Sequence, residues 1–268
     1  MSVTPCFAGV DVGSATAKAV LVDARGAMLS HALLPSGGNL AAAADAVVEK
    51  ALADAGLTRG AIIALISTGY GRENVSGRLK AVTEISCHAR GAHALNPGVR
   101  AVIDIGGQDS KAIALDAKGM VRKFEMNDKC AAGTGRFLEV MARTLDVNLA
   151  DIGPIALTAD APARISSTCT VFAESEVISL LAKGESVPRI LAGLCTAITQ
   201  RVYSLASRVG MAPVLMMTGG VAKNSGVVRG IEQAAGMPVV VPEEPQIVGA
   251  LGAALYARDA AEKENNNA

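Results

Sequence analysis

Asp11-Val-Gly-Ser-Ala-Thr-Ala-Lys-Ala-Val-Leu-Val-Asp-Ala-Arg-Gly26 and Asp104-Ile-Gly-Gly-Gln-Asp-Ser-Lys-Ala-Ile-Ala-Leu-Asp-Ala-Lys-Gly119 are two versions of one pattern, offset by a constant 93 residues. Asp11, Gly13, Lys18, Ala19, Asp23, Ala24 and Gly26 recur as Asp104, Gly106, Lys111, Ala112, Asp116, Ala117 and Gly119, seven identities in 16 positions. Chance similarity between β-rich segments accounts for shared alternation of apolar residues. It does not account for matched acids, lysines and glycines.

Working outward, each copy reads as a β-β-β unit. Apolar runs at Cys6–Val12, Ala17–Asp23 and Ala27–Leu33 are matched by runs at Ala101–Gly107, Lys111–Asp116 and Met120–Met126. The Asp-x-x-Gly segments at 23–26 and 116–119 have hairpin-turn chemistry. Between and after the copies, helices are expected at Asn39–Ala55 (stopped by Gly56), Thr134–Leu145, Thr170–Leu181, Pro188–Val209 and Gly249–Ala260. Further strands are expected at Ala61–Ile66 and Pro213–Met217, and Glu262–Ala268 reads as frayed. The fold class is therefore α/β, with mixed sheets flanked by helices and two duplicated domains facing each other across a cleft. The boundary falls near Asn96-Pro97-Gly98, giving a first domain over 1–97 and a second over 98–268, with the C-terminal helix 249–260 free to pack back on the first.

Composition narrows the function. The 268 residues are 50% hydrophobic with 28 glycines, which excludes disorder over most of the chain, and with 3% aromatics the core must be Ala, Val, Ile and Leu. A formal net charge of zero argues against a nucleic-acid or anionic-membrane surface. The longest charge-free stretch, Gly26–Ala44, is broken by His31, Pro35, Ser36, Gly37, Gly38 and Asn39, so no bilayer span is expected. Asp11 interrupts the apolar run a signal peptide needs, and five unpaired cysteines do not form a secreted disulfide framework. The expected location is cytoplasmic.

The chemistry sits at the strand ends. Asp11 and Asp104 each precede a glycine turn whose backbone N–H groups can cradle phosphate oxygens, and a carboxylate beside phosphates acts chiefly through Mg²⁺. The first candidate phosphate loop is Gly13, Ser14, Ala15, Thr16, Ala17 and Lys18, and the second is Gly106 and Gly107, with Gln108 placed to position water. Thr218, Gly219 and Gly220 form a third glycine turn, suited to passing under a nucleoside, and Gln246 completes the candidate nucleotide set. Neither a GxxxxGK[ST] loop nor a G-x-G-x-x-G fingerprint precedes a helix, which removes the P-loop and dinucleotide-fold readings.

This pattern resembles the ribonuclease H-like actin/Hsp70/sugar-kinase superfamily, whose duplicated domains clamp Mg-ATP between two phosphate loops and an adenosine loop. Four longer motifs are more specific: Thr68-Gly-Tyr-Gly-Arg72, Val102-Ile-Asp-Ile-Gly-Gly-Gln-Asp-Ser110, Asn127-Asp-Lys-Cys-Ala-Ala-Gly-Thr-Gly-Arg-Phe137 and Ser166-Ser-Thr-Cys-Thr-Val-Phe-Ala-Glu-Ser-Glu176. They are similar to those of ATP-dependent activators of 2-hydroxyacyl-CoA dehydratases, a family that also includes ATPase subunits of benzoyl-CoA reductases. The resemblance implies one [4Fe-4S] cluster between two identical subunits, each giving two cysteines, here Cys130 and Cys169. Four thiolates are the usual set, one chain offers no CxxC cassette, and both cysteines precede expected helices whose N-terminal dipoles would favour an anionic cluster. Cys6 and Cys195 read as small buried hydrophobes, Cys87 beside His88 is too little for a metal site, and His31 and His93 lack partners at useful spacing.

The function so implied is an ATP-driven one-electron donor acting as a homodimer. Ferredoxin or flavodoxin would load it, and a 2-hydroxyacyl-CoA dehydratase-type iron-sulfur enzyme would receive the electron. Asp11 and Asp104 would serve Mg²⁺, and ATP/ADP would occupy the loops. The alternatives are an ATPase subunit of a benzoyl-CoA reductase-like enzyme, or a small-molecule kinase of the same superfamily, for whose acceptor pocket little chain remains.

Overall fold

Strand β1 (Cys6–Val12) is fully buried because helices cover both faces of its sheet. It pairs antiparallel with β2 (Thr16–Val22), which pairs antiparallel with β3 (Met28–Pro35). On its other side β1 runs parallel to β4 (Ile62–Thr68), and β4 to the short β5 (Lys80–Ala81). The second sheet repeats this plan. There β6 (Ala101–Ile105) is antiparallel to β7 (Ser110–Leu115), β8 (Val121–Asn127) lies beyond β7, and β9 (Leu215–Thr218) and β10 (Val239–Val240) run parallel on the other side. The orders are β3-β2-β1-β4-β5 and β10-β9-β6-β7-β8, one topology used twice. These are the mixed sheets of the expected α/β fold.

The computed structural model describes residues 5–128, 130–166 and 169–266. The chain divides into two compact units, Met1–Gly98 with Leu115–Val121 and Gln246–Ala268, and Val99–Ala114 with Arg122–Pro245. In the first, α1 (Leu40–Asp54) packs against Ala8, Val10 and Val12 of β1, while α2 (Glu84–Leu95) and α8 (Val248–Asn266) cover the opposite face around Phe7, Val20 and Ile66. In the second, α3 (Gly135–Thr144), α4 (Ile152–Ala156), α5 (Thr170–Ala182), α6 (Val187–Ser207) and α7 (Ser225–Ala235) surround a core that includes Ile103, Ile105, Phe137, Leu194 and Met217.

The matched residues of the repeat earn their identity locally. Asp23 Oδ1 accepts from the N–H groups of Arg25 and Ala27, at 2.8 and 2.9 Å. Asp116 Oδ1 accepts from those of Lys118 and Met120 at the same two distances. Helix caps also follow sequence chemistry: Asn39 accepts from Ala42 N–H at the start of α1, and Asn224 from Val227 N–H at the start of α7.

Three helices and two strands are absent from the sequence expectation: α2, α4, α7, β5 and β10. Helix α8 also runs on to Asn266, through residues expected to fray, and its last two positions of the chain, 267 and 268, lie outside the described residues. Among the described residues no helix is long and apolar enough to cross a membrane.

Helices α2 and α8 meet on glycine. A Cβ placed on Gly252 would lie 1.8 Å from the Cys87 carbonyl oxygen, and one on Gly91 would lie 2.1 Å from that of Val248. Backbone cannot yield as a side-chain tip does, so Gly252→Ala should destabilise by about 3 kcal/mol or more. Gly38→Ala, at a site with nothing within 4 Å and no left-handed φ, should stay within about 0.5 kcal/mol of the parent. Denaturant unfolding of the two variants checks this; equal stability would mean the two helices do not cross as closely as described.

Candidate active site

Register places the chemistry. Asp11 is the partner of Lys18 across the β1–β2 hairpin, and Asp104 of Lys111 across β6–β7. Lys18 Nζ lies 3.2 Å from Asp11 Oδ2, and Lys111 Nζ lies 3.3 Å from Asp104 Oδ2. Each hairpin closes on the same bond, Gly13 N–H to Thr16 O and Gly106 N–H to Asp109 O, both 3.0 Å.

The repeat extends to a third strand that the 93-residue offset does not reach. In the parallel pairings Asp11 is level with Thr68 and Asp104 with Thr218. Each threonine is followed by a glycine in the left-handed region, Gly69 at φ +94° and Gly219 at φ +83°. A Cβ on Gly69 would sit 2.5 Å from Asp11 Oδ1, and one on Gly219 would sit 2.9 Å from Asp104 Oδ1. Both the turn and the close approach require glycine. Thr218-Gly219 thus has an internal counterpart in Thr68-Gly69; Thr68 and Gly69 flank Asp11 in the first unit, and Lys111 and Asp109 accompany Asp104 in the second. The signal available in sequence was the Thr-Gly pair at the end of each apolar strand.

The two copies differ electrostatically. Asp104 is 3% exposed; Lys111 holds its Oδ2 and Thr218 Oγ1 donates to its Oδ1 at 2.9 Å. Lys111 also donates to Asp109 at 2.7 Å, so two carboxylates share one buried ammonium. Lys18 lies against Gly13, its Nζ 3.1 Å from where a Cβ would stand, and its bonded carboxylate is Asp11. Lys18 therefore retains donors for an anion on the first loop, whereas Lys111 is committed to carboxylates.

Of the other expected site residues, Ser14 and Thr16 are half-buried and Ala15 is exposed, while Ala17 turns its methyl into the core and pairs with Val12. Gln108 is exposed on the second loop between half-buried Gly107 and Asp109. Thr218 is fully buried, Gly219 and Gln246 are half-buried and Gly220 is exposed.

Cys130 is half-buried and Cys169 exposed; Cys6, Cys87 and Cys195 are buried. Cys169 caps the N-terminus of α5, whereas Cys130 precedes a 3-10 turn, Ala131–Gly133, with Thr134 at the head of α3. That turn is bound to the second glycine loop: Gly135 N–H donates to Gly106 O at 2.8 Å and Arg136 N–H to Gly107 O at 2.9 Å. Lys129, Ser167 and Thr168 of the cysteine motifs lie outside the described residues. Among the described residues no three His, Cys, Asp or Glu side chains converge as a metal site.

Two outcomes follow. Burial pushes the Cys87 and Cys195 thiols up to about 12 and raises that of Cys6. Iodoacetamide at pH 8 should therefore modify Cys130 and Cys169 in the folded, metal-free protein, with the other three reacting only after unfolding; mass mapping of the adducts decides. Because those folded values exceed the unfolded one, the stability they contribute is complete below pH 9 and is lost as pH climbs toward 12. Second, Lys111→Met leaves two carboxylates without their buried cation and should cost about 3–5 kcal/mol, part of it recovered by adding Asp104→Asn. Lys18→Met should cost only about 1–2 kcal/mol. Equal losses in chemical denaturation would contradict the asymmetry between the copies.

Known proteins resemble this chain over nearly its whole length. The family model described as BadF/BadG/BcrA/BcrD ATPase matches residues 8–257. The activator of lactoyl-CoA dehydratase from Anaerotignum propionicum is 49% identical, over 96% of this chain and 98% of its own. The 2-hydroxyisocaproyl-CoA dehydratase activator of Clostridioides difficile is 45% identical, over 95% and 96%. A solved structure described as the activator of the 2-hydroxyisocaproyl-CoA dehydratase from Clostridium difficile, with bound ADPNP, superposes with a TM-score of 0.94 at 43% identity, covering 98% of each chain. The matched span takes in both carboxylate–lysine copies and both accessible cysteines, and the chain belongs to the BadF/BadG/BcrA/BcrD ATPase family.

Proposed function

We propose that this ATPase is the electron-donating activator of a 2-hydroxyacyl-CoA dehydratase-type enzyme, and that two copies of the chain hold one [4Fe-4S] cluster. The observation that carries this reading is the pair of hydrogen bonds from the head of α3 to the second glycine loop, because they join a phosphate-type loop to the turn bearing an accessible cysteine. The names of the dehydratase-activator relatives support the activator part of this reading.

The donor set fits the cluster. Two of five thiols are accessible, one chain cannot complete a four-thiolate set with them, and a two-fold pair can. Val171 and Phe172, 67% and 68% exposed beside Cys169, supply apolar surface for a second copy. When bound, the group stores and passes a single electron. Cys130 and Cys169 anchor it, and the N-terminus of α5 directs its positive end toward the Cys169 position.

The proposed nucleotide-binding residues lie in both copies. Gly13–Lys18 and Gly106–Gln108 receive the phosphates, with Lys18 supplying the cationic contact, and Thr218, Gly219, Gly220 and Gln246 serve the nucleoside. Asp11 and Asp104 would hold hydrated Mg²⁺, which would supply neutralising charge for the phosphates there. Gln108 orients the attacking water, which its lack of basicity suits better than proton abstraction. A shift of Gly106 and Gly107 on nucleotide binding is carried through the hydrogen bonds their carbonyls accept from Gly135 and Arg136 to α3 and so to the Cys130 turn. Ferredoxin or flavodoxin in the cytoplasm loads the electron, and the dehydratase-type partner accepts it.

Anaerobic purification should give about four iron atoms per dimer. Cys130→Ser or Cys169→Ser should lose that iron, while Cys195→Ser keeps it. Mg-ATP should change the rate at which a chelator removes iron, and Asp104→Asn should erase that change while retaining iron. Full iron in either cysteine variant would refute the ligand assignment, and a chelation rate indifferent to nucleotide would refute the coupling.

A further inference from the structure

Arg201 stands on α6, outside every motif discussed above, and its Nη1 donates to Cys130 Sγ at 3.4 Å. Its stem crosses the cysteine turn: Arg201 Cβ lies 3.7 Å from where a Gly133 side chain would begin. The turn is pinned from the other side, where Asn127 Nδ2 donates to the Cys130 carbonyl at 3.0 Å. A guanidinium keeps its charge at any working pH and presents its N–H groups in a fixed plane, so it is a permanent cationic donor to this sulfur.

We propose that Arg201 is a positioning residue for electron transfer, fixing Cys130 by its N–H to sulfur hydrogen bond and setting the reduction potential of the centre that Cys130 serves. This rests on the cluster assignment proposed above. Reduction adds one electron from an external low-potential one-electron donor and transfers no proton, so the centre gains one negative charge. A hydrogen-bonded cation at a ligand sulfur favours that more negative state, and Arg201 thereby raises the potential. It eases loading and limits the escape of the electron before nucleotide acts.

The test is redox titration of the iron-loaded dimer, poised with dithionite and mediators and read by electron paramagnetic resonance. Arg201→Gln should move the midpoint to more negative potential. At the poise that half-reduces the parent, the ratio of reduced to oxidised centres should fall about tenfold, the equivalent of roughly 1.4 kcal/mol for a charge-assisted bond. Arg201→Lys, which keeps the charge without the planar fork, should fall between. Arg208→Gln, which removes a charge from the exposed end of the same helix, should leave the midpoint unmoved. A parent midpoint in iron-loaded Arg201→Gln, or an equal shift in Arg208→Gln, overturns the proposal. If Arg201→Gln does not retain iron, Arg201→Lys decides: a negative shift supports the role and a parent midpoint overturns it. A parent protein without iron would instead sink the cluster assignment, and this proposal with it.

Discussion

A buried carboxylate paired with a lysine across the first hairpin of each sheet is the constraint on which this structure depends. An aspartate at the end of a central strand is costly to bury alone, and the opposing lysine offsets that cost at 3.2 Å in one copy and 3.3 Å in the other. The pairing fixes hairpin register, because a one-residue slip would carry the lysine to the far face of the sheet. It also forces glycine at 69 and 219, where the parallel neighbour turns past the carboxylate too closely for any side chain. One electrostatic requirement thus dictates the residues on three strands of each sheet.

The two copies spend that arrangement differently. In the second, Lys111 is shared by Asp104 and Asp109, and Thr218 completes the aspartate, leaving a saturated, rigid cluster. In the first, Lys18 serves one aspartate and lies over the glycine loop. The first copy keeps hydrogen-bonding capacity for a ligand and the second gives shape.

What was legible in the sequence was what this constraint writes there. The matched acids, lysines and turn glycines gave six strands and the duplicated topology, and Cys130 and Cys169 were singled out by the resemblance of their two motifs to a known family. Helix α2 was not legible because its buried face is Cys87, His88, Ala89, Gly91 and Ala92, small or polar residues without an apolar stripe, buried only because α8 approaches on glycine. The pairs of residues that strand β5 and strand β10 contribute are too short to show a period. Thr68-Gly69 escaped as a repeat because the connecting helices differ in length, so its distance to Thr218-Gly219 is not 93. Lys111 was visible as a match, but its commitment to two carboxylates is a property of packing.

The link from loop to cysteine has a precedent within the same chain. After β3, the Ser36 N–H and Oγ bond Ala15 O and Gly13 O at 3.0 and 2.7 Å, tying the turn that leads into α1 to the first glycine loop. After β8, the N–H groups of Gly135 and Arg136 tie the head of α3 to the second glycine loop. In both copies, then, the segment that follows the third strand is fastened to the loop that follows the first. The second copy differs in carrying Cys130 in that segment, with Arg201 closing on its sulfur. Cys130 thus precedes the helix of the second unit whose head is tied by two backbone hydrogen bonds to the second glycine loop.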